Sequence, residues 1–127
     1  VLPEAWYRQQ VAREEAILLG LFRDPHPPWL LAWAVVLAVV VAPVVEEVFF
    51  RGYAHGVFRH HLGARARWVS ALFFTLPHMY IIHALPVFAM GLGLVWLYER
   101  RGHLAAPVVA HGVVNGIVAA ALILGRA

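Results

Sequence analysis

One long uncharged stretch, followed at once by charged residues, sets the strongest constraint on how this chain can fold. Residues 29–45 carry no charged side chain, Glu46 and Glu47 follow directly, and Arg51 comes four residues later within a resumed apolar run. Such a stretch predicts a membrane-spanning helix. At mid-bilayer each charge costs roughly 3 kcal/mol, and the three together about 8 to 10 kcal/mol. We therefore expect these groups to pair, to line a wet cavity, or to take part in chemistry.

The composition supports a membrane protein. Of the 127 residues, 62% are hydrophobic and 13% are charged, which is far more apolar than a soluble domain. All ten basic residues are arginines scattered along the chain, so the net charge of +3 does not indicate a nucleic-acid partner. The chain has no cysteine, which excludes a disulfide framework, a cysteine-ligated metal site and a thiol nucleophile.

The hydropathy pattern predicts an all-α polytopic bundle of about four spanning helices after an N-terminal helix. Residues 1–28 interleave charged and apolar side chains, which is typical of an amphipathic interfacial helix or of an exposed connector. The proline-rich stretch 24–28 is expected to end that helix. Residues 29–127 are interpreted as the transmembrane core, with predicted spans at 29–58, 67–82, 86–98 and 104–124.

The charged loops predict how the bundle lies in the membrane. Arginines occur in the loops 59–67 and 99–103, whereas the loop between the second and third spans is uncharged. Alternating spans put both arginine-bearing loops on one face, and the positive-inside rule makes that face cytoplasmic. The first residue is Val rather than Met, and we expect further helices upstream.

Four polar residues in three predicted spans lie at similar depth: Glu46, His78, His111 and Asn115. Counted at about 1.5 Å per residue from the nearest arginine-bearing loop, they lie about 12 to 20 Å inside the bundle. This convergence favours one buried site. A carboxylate and a histidine can activate a water molecule as a nucleophile, and a second histidine with an asparagine can stabilise the resulting oxyanion.

The spacing within the first span predicts different roles for its charged residues. Glu47 and Arg51 are four residues apart, so we expect them to pair. Glu46 is turned about 100° away and is free to face a cavity. Ser70 is the only serine and lies near a loop, so water is favoured over serine as the nucleophile. The remaining histidines, including His55, are interpreted as interfacial or solvated.

Three short motifs lie in order on separate predicted spans. They read EExxxR at 46–51, FxxxH at 74–78 and HxxxN at 111–115. Together they resemble the signature of the CAAX-protease and bacteriocin-processing family of membrane proteases. The resemblance covers about residues 30–120.

The resemblance implies an intramembrane endopeptidase of the type II CAAX prenyl protease kind, located in a bacterial plasma membrane. The implied partners are the lipid bilayer and the C-terminal part of a peptide or protein substrate, with or without a prenyl group. The family core usually has more helices, so this chain is expected to be truncated at its N-terminal side. The implied roles are water activation by Glu46 and His78, oxyanion binding by His111 and Asn115, and support of the site by Glu47 and Arg51.

Two other interpretations of these residues remain. The glutamates and histidines are acceptable zinc ligands, but a soluble HExxH motif is absent and Arg51 disfavours a dication, so we predict no metal and no other cofactor. The second interpretation is a non-catalytic protein, such as a transporter, a scaffold or a bacteriocin self-immunity protein. There the polar groups would form a proton relay or a structural lock. The sequence does not determine an oligomeric state.

Overall fold

The described part of the chain is helical and contains no strand, which confirms the predicted all-α bundle. A computed structural model describes residues 3–22 and 25–125, with the backbone alone at 17 and 18. The α-helices are α1 (Glu4–Phe22), α2 (Pro28–Val36), α3 (Ala42–Glu47), α4 (His55–Leu62), α5 (Ala66–Thr75), α6 (Ala84–Arg101) and α7 (Ala105–Leu124). π-helical turns at Leu37–Val41 and Val48–Ala54 join α2, α3 and α4 into one long helix, residues 28–62, and 3₁₀ turns at Gly63–Arg65 and Leu76–His78 flank α5.

A proline widens the long helix near its middle. Pro43 has no N–H to donate, and just before it the helix opens into the π-helical turn Leu37–Val41. There the N–H of Ala42 donates to the carbonyl of Leu37 rather than to that of Ala38. The carbonyl of Ala38 therefore receives no hydrogen bond from residue 42 or 43 of its own helix, and it becomes available to another helix.

Small residues let the helices approach closely. A Cβ added to Gly91 of α6 would lie 3.3 Å from the Cα of Ala71 in α5. At Gly112 of α7 the added Cβ would lie only 2.7 Å from the backbone oxygen of Val39, which no neighbouring backbone could accommodate without moving. Gly112 therefore sets the distance between α7 and the long helix.

The arginine-bearing loops meet at one end of the bundle. Glu99 at the end of α6 accepts hydrogen bonds from Arg59 of α4 at 2.6 Å and from Arg67 of α5 at 3.0 Å. Loops 59–67 and 99–103 are thus neighbours, because the chain turns back at Gly63, where φ is +56°. Which side of the membrane this end faces stays a prediction.

His55 lies inside the bundle, so its interpretation as interfacial or solvated is wrong. Its side chain is 4% exposed, its Nδ1 lies 2.8 Å from the Ser70 hydroxyl, and its Nε2 lies 3.4 Å from Glu99 Oε1. The imidazole is buried because α4 turns this position towards α5 and α6 rather than towards lipid.

The second predicted span is shorter than expected. Helix α5 with its 3₁₀ turn ends at His78, not at 82, because Pro77 removes an N–H and Met79 adopts a left-handed backbone with φ of +56°. Within the described residues, two helical stretches are long and apolar enough to cross a membrane, Pro28–His78 and Ala105–Leu124. The first of them includes the reversal at Gly63.

The N-terminal helix contacts the bundle. Phe22 at the end of α1 is buried with Ala34 of α2 and Ala119 of α7. The predicted helix break at 24–28 falls partly outside the described residues, and residues 25–27 are not helical. The division of the chain into an interfacial segment 1–28 and a core 29–127 stays a prediction.

Candidate active site

The two adjacent glutamates of α3 have different surroundings. Glu47 is fully buried, whereas the Glu46 side chain is 32% exposed and lines a cavity. The Oε2 atom of Glu46 is buried and has no hydrogen-bond partner among the described residues. A buried carboxylate oxygen without a protein partner is costly. Oε2 of Glu47 is also without a partner in the described part of the chain, but Glu47 is fully buried, so Glu46 is the one of the two carboxylates that a water molecule or a substrate group in the cavity can reach.

Arg51 holds Glu47 from behind the cavity, as the spacing of the two residues predicts. Its Nη1 donates to Glu47 Oε1 at 2.7 Å, and its Nη2 donates to the carbonyl of Gly91 at 3.1 Å. The guanidinium carbon lies 4.4 Å from the centre of the Phe74 ring, a cation–π contact. Because both charges are buried, each depends on the other for compensation.

Glu47 also orients His111. The imidazole Nδ1 donates to Glu47 Oε1 at 2.9 Å, and this bond fixes the direction of the ring. The opposite nitrogen, Nε2, lies 3.8 Å from Glu46 Oε2, which is too long for a hydrogen bond and short enough for an ion pair. Oε1 of Glu47 thus accepts hydrogen bonds from both Arg51 and His111. The second of these bonds orients the imidazole so that its other nitrogen points towards Glu46.

One ring nitrogen of His78 is hydrogen-bonded, and the other has no hydrogen bond within the described part of the chain. Its Nδ1 donates to the carbonyl of Phe74, one turn earlier, at 2.8 Å. A histidine that uses Nδ1–H in this way carries no proton on Nε2 in its neutral form. His78 lines the same cavity as Glu46. The Phe74 ring packs against both imidazoles, with ring centres 4.9 Å from His78 and 5.7 Å from His111.

Asn115 is anchored by the widened turn of the long helix. Its side-chain nitrogen donates to the carbonyl of Ala38 at 2.8 Å, the oxygen that Pro43 and the π-helical turn leave available. The amide group carries a second hydrogen, and Asn115 lines the cavity with His111. One hydrogen of the amide thus anchors the side chain while the other remains for a ligand.

One cavity of about 630 Å³ brings these residues together. Its walls carry the four residues predicted to act in catalysis, which are Glu46, His78, His111 and Asn115. Apolar side chains of α6 and α7 line much of the rest. The structure therefore brings together the four side chains that sequence depth placed at one level, and it puts Glu47 and Arg51 behind them.

The sequence did not predict that α1 lines the cavity. Glu14, Glu15, Leu19 and Phe22 contribute to its wall, as do Tyr80 and His83 from the loop before α6. Glu15, Leu19 and Phe22 share helical spacing, but charged and apolar residues are interleaved over much of residues 4–22, so the sequence does not single out this face as one that lines a cavity. In the described part of the chain, no three histidine, aspartate or glutamate side chains are grouped as ligands of one metal ion.

The chain is similar to a prenyl endopeptidase family and to a putative membrane peptidase. A family model described as "Type II CAAX prenyl endopeptidase Rce1-like" matches residues 28–117. A protein of Bacillus subtilis (strain 168) named "Putative membrane peptidase YdiL" is 28% identical over 85 residues, which is 66% of this chain and 35% of that protein. The chain thus spans about a third of the length of this relative. No solved structure matches. Since the family model covers most of a chain whose apolar helices suit a bilayer, this membrane protein belongs to the type II CAAX prenyl endopeptidase Rce1-like family.

Proposed function

We propose that this protein is an intramembrane endopeptidase that hydrolyses a peptide bond near the C-terminus of a membrane-associated substrate. The observation that carries the proposal is that Glu46, whose Oε2 has no hydrogen-bond partner among the described residues, lines a cavity shared with two histidines. Oε2 of Glu47 also lacks a hydrogen-bond partner among these residues, but of these two adjacent glutamates only Glu46 lines the cavity and can offer its carboxylate to water there. Membership of a peptidase family supports the same conclusion.

In the proposed reaction Glu46 and His78 share the activation of water. Glu46 accepts a proton from the water molecule, and His78 Nε2 accepts a hydrogen bond from its other hydrogen. The water oxygen attacks the carbonyl carbon of the scissile amide, forming a tetrahedral oxyanion. When the C–N bond breaks, Glu46 returns its proton to the leaving nitrogen, which departs as an amine. The other product is a carboxylic acid, which then loses the second water proton to solvent and becomes a carboxylate. Such acid–base catalysis typically contributes about 10² to 10⁴-fold in rate.

The oxyanion is proposed to lie between His111 and Asn115. The second amide hydrogen of Asn115 can donate to it, and so can Nε2–H of His111 when the ring is protonated beside Glu47. Both donors are held in place before substrate arrives, one by Glu47 and the other by Ala38. Preorganised donors in a low-dielectric site stabilise developing charge more strongly than they would in water.

The proposed setting is a bacterial plasma membrane, with loops 59–67 and 99–103 on the cytoplasmic side. The substrate is proposed to be a peptide or protein C-terminus held at the bilayer, with or without a prenyl group, because the family model describes prenyl endopeptidases. No metal or other cofactor enters the proposed reaction, in which the chain's own carboxylate and imidazole activate water.

The test is cleavage of a fluorogenic C-terminal peptide by the purified full-length protein in lipid vesicles. Glu46→Gln should lower kcat about 10² to 10⁴-fold, since glutamine cannot take the proton, while circular dichroism stays unchanged. His78→Ala should lower kcat on a similar scale, whereas the matched surface change Glu4→Gln should have no effect. Cleavage that persists at the original rate in Glu46→Gln would refute the proposed role of Glu46.

A chelator experiment tests the metal-free reaction. Because no metal takes part in the proposed chemistry, incubation with EDTA followed by gel filtration should leave the cleavage rate unchanged. Elemental analysis of the active protein should find zinc well below one atom per chain. Stoichiometric zinc together with chelator-sensitive activity would overturn this part of the proposal in favour of a metallopeptidase.

A further inference from the structure

Helix α1 forms one wall of the cavity that holds Glu46. Glu15, Leu19 and Phe22 are spaced at i, i+4 and i+7, so they share one face of the helix, and all three line the cavity together with Glu14. The first half of α1 is mostly exposed. The helix therefore forms one side of this partly open cavity, and its exposed N-terminal half contributes no lining residue.

Two different contacts hold α1 on the bundle. At its C-terminal end the buried Phe22 packs against Ala34 and Ala119. In its middle, Glu14 reaches the loop before α6, where Oε1 accepts the backbone N–H groups of residues 81 and 82 at 2.5 and 2.8 Å. Its Oε2 accepts the backbone N–H and the ring Nδ1–H of His83 at 3.0 and 2.7 Å. The first contact is apolar, whereas the second consists of hydrogen bonds that water can replace.

The Glu14 side chain is 7% exposed, and its carboxylate is fully bonded by the loop. Burial alone would raise the pKa of Glu14, but the backbone hydrogen bonds from Ile82, Ile81 and His83, with the His83 ring, lower this pKa from the ordinary 4.5 to about 2. The carboxylate is therefore ionised at neutral pH. Because this pKa is lowered, the contact between Glu14 and the loop stabilises the docked position of α1 fully above about pH 4.5. The contact loses its effect only as the pH falls towards 2.

We propose that α1 is a gate over the cavity and that Glu14 is the latch that keeps it closed. When Glu14 leaves the loop, the middle and N-terminal half of α1 lift away while Phe22 remains packed, and the cavity opens between α1 and α6. This inference rests on the proposed function only in that the opened cavity admits a peptide to Glu46. The gating itself does not depend on hydrolysis.

The gate is tested by cysteine labelling, for which the absence of native cysteine is an advantage. Val87→Cys places a thiol in the cavity wall, and its reaction with a water-soluble maleimide reports access to the cavity. Adding Glu14→Ala should accelerate this labelling several-fold. The matched change Glu15→Ala, at a neighbouring cavity residue that is not the acceptor of the four hydrogen bonds, should leave the rate near that of the parent.

Two control measurements test for a general change in thiol labelling and for unfolding of the bundle. Met79→Cys, at a side chain that is 85% exposed, should label at one rate whether residue 14 is glutamate or alanine. Amide exchange at residues 81–83 should accelerate in Glu14→Ala while the amides of α7 remain protected, which shows that the bundle is folded. Unchanged labelling of Val87→Cys in Glu14→Ala, or an equal acceleration by Glu15→Ala, would overturn the gate.

The same labelling in a Glu46→Gln background separates the gate from the proposed function. The gate predicts the same acceleration there, although no peptide is cleaved. If wild type never cleaves peptide but Glu14→Ala still accelerates labelling, the peptidase proposal fails and the gate stands. If cleavage depends on Glu46 but the labelling rate of Val87→Cys is the same with and without Glu14→Ala, the gate fails and the peptidase proposal stands.

Discussion

Two clusters of carboxylate, histidine and arginine occur in this bundle, one in its interior and one at its end, and they differ in which polar atoms lack a partner. The site cluster is formed by Glu46, Glu47, Arg51 and His111. The end cluster is formed by His55, Arg59, Arg67, Ser70 and Glu99. In the site cluster the Oε2 atoms of Glu46 and Glu47 are buried without a hydrogen-bond partner among the described residues, and Glu46 also lines a cavity. In the end cluster Glu99 is bonded by two arginines and also faces His55.

The comparison shows that residue types alone do not identify a reactive site. Ser70, His55 and Glu99 follow the order of a serine–histidine–acid triad, with the hydroxyl 2.8 Å from Nδ1 and the carboxylate 3.4 Å from Nε2. Ser70 is nevertheless 3% exposed, and none of the three lines the cavity described above. We therefore interpret the end cluster as a tie between α4, α5 and α6.

The largest effect on stability is expected when one partner of the buried ion pair is removed. Arg51→Met leaves the charge of Glu47 uncompensated in the interior, so the free energy of unfolding in mixed micelles should fall by about 3 to 5 kcal/mol. The corresponding change in the end cluster, Arg59→Met, removes a half-exposed arginine and should cost about 0 to 1 kcal/mol. Equal costs would show that burial does not distinguish the two clusters.

An intermediate effect is expected from closing the gap between α7 and the long helix. Gly112→Ala puts a methyl group against the backbone oxygen of Val39, so we expect a loss of about 1 to 3 kcal/mol in unfolding free energy. The cleavage rate should fall with it, because α7 carries His111 and Asn115. Gly116→Ala is the control, since its Cβ would meet only the Val39 side chain at 3.7 Å. A harmless Gly112→Ala would mean that the two helices are not held at this distance.

The smallest effect is expected at the serine of the end cluster. Ser70→Ala removes one hydrogen bond to His55, which should cost about 0.5 to 1.5 kcal/mol of stability. The cleavage rate should stay within twofold of wild type, because Ser70 does not line the cavity. A hundredfold loss of activity in the folded variant would instead make the end cluster the catalytic one and reverse the comparison.

Much of the site could be predicted from sequence because its residues follow helical spacing. The separation of four residues predicted the bond between Glu47 and Arg51, which the structure confirms. The adjacent position of Glu46 predicted a different direction for its side chain, and the two glutamates do differ in exposure. Depth along each span predicted that His78, His111 and Glu46 lie at one level, and one cavity contains all three. Their catalytic roles stay predictions.

Other features depended on contacts that spacing does not encode. Asn115 bonds Ala38, 77 positions away, because Pro43 and the π-helical turn make that carbonyl available. The prediction for His55 was wrong because the residue is close in sequence to a charged loop, which indicated a solvent-exposed side chain. In the structure α5 and α6 cover this side chain. The second span ends at His78 because a left-handed residue follows, which hydropathy does not detect.

The sequence by itself determined that this is an all-α membrane protein, where its helical spans lie, and which polar residues within those spans must pair, contact water or take part in chemistry. Those properties follow from hydropathy and from the period of the helix, which are local. Only the tertiary structure decided that Glu47 bonds both Arg51 and His111, that Glu46 keeps an unpartnered oxygen, and that residues of α1 line the cavity. These depend on how separate helices pack, and packing distances are set by small residues and bent or widened turns whose partners lie far away in the chain.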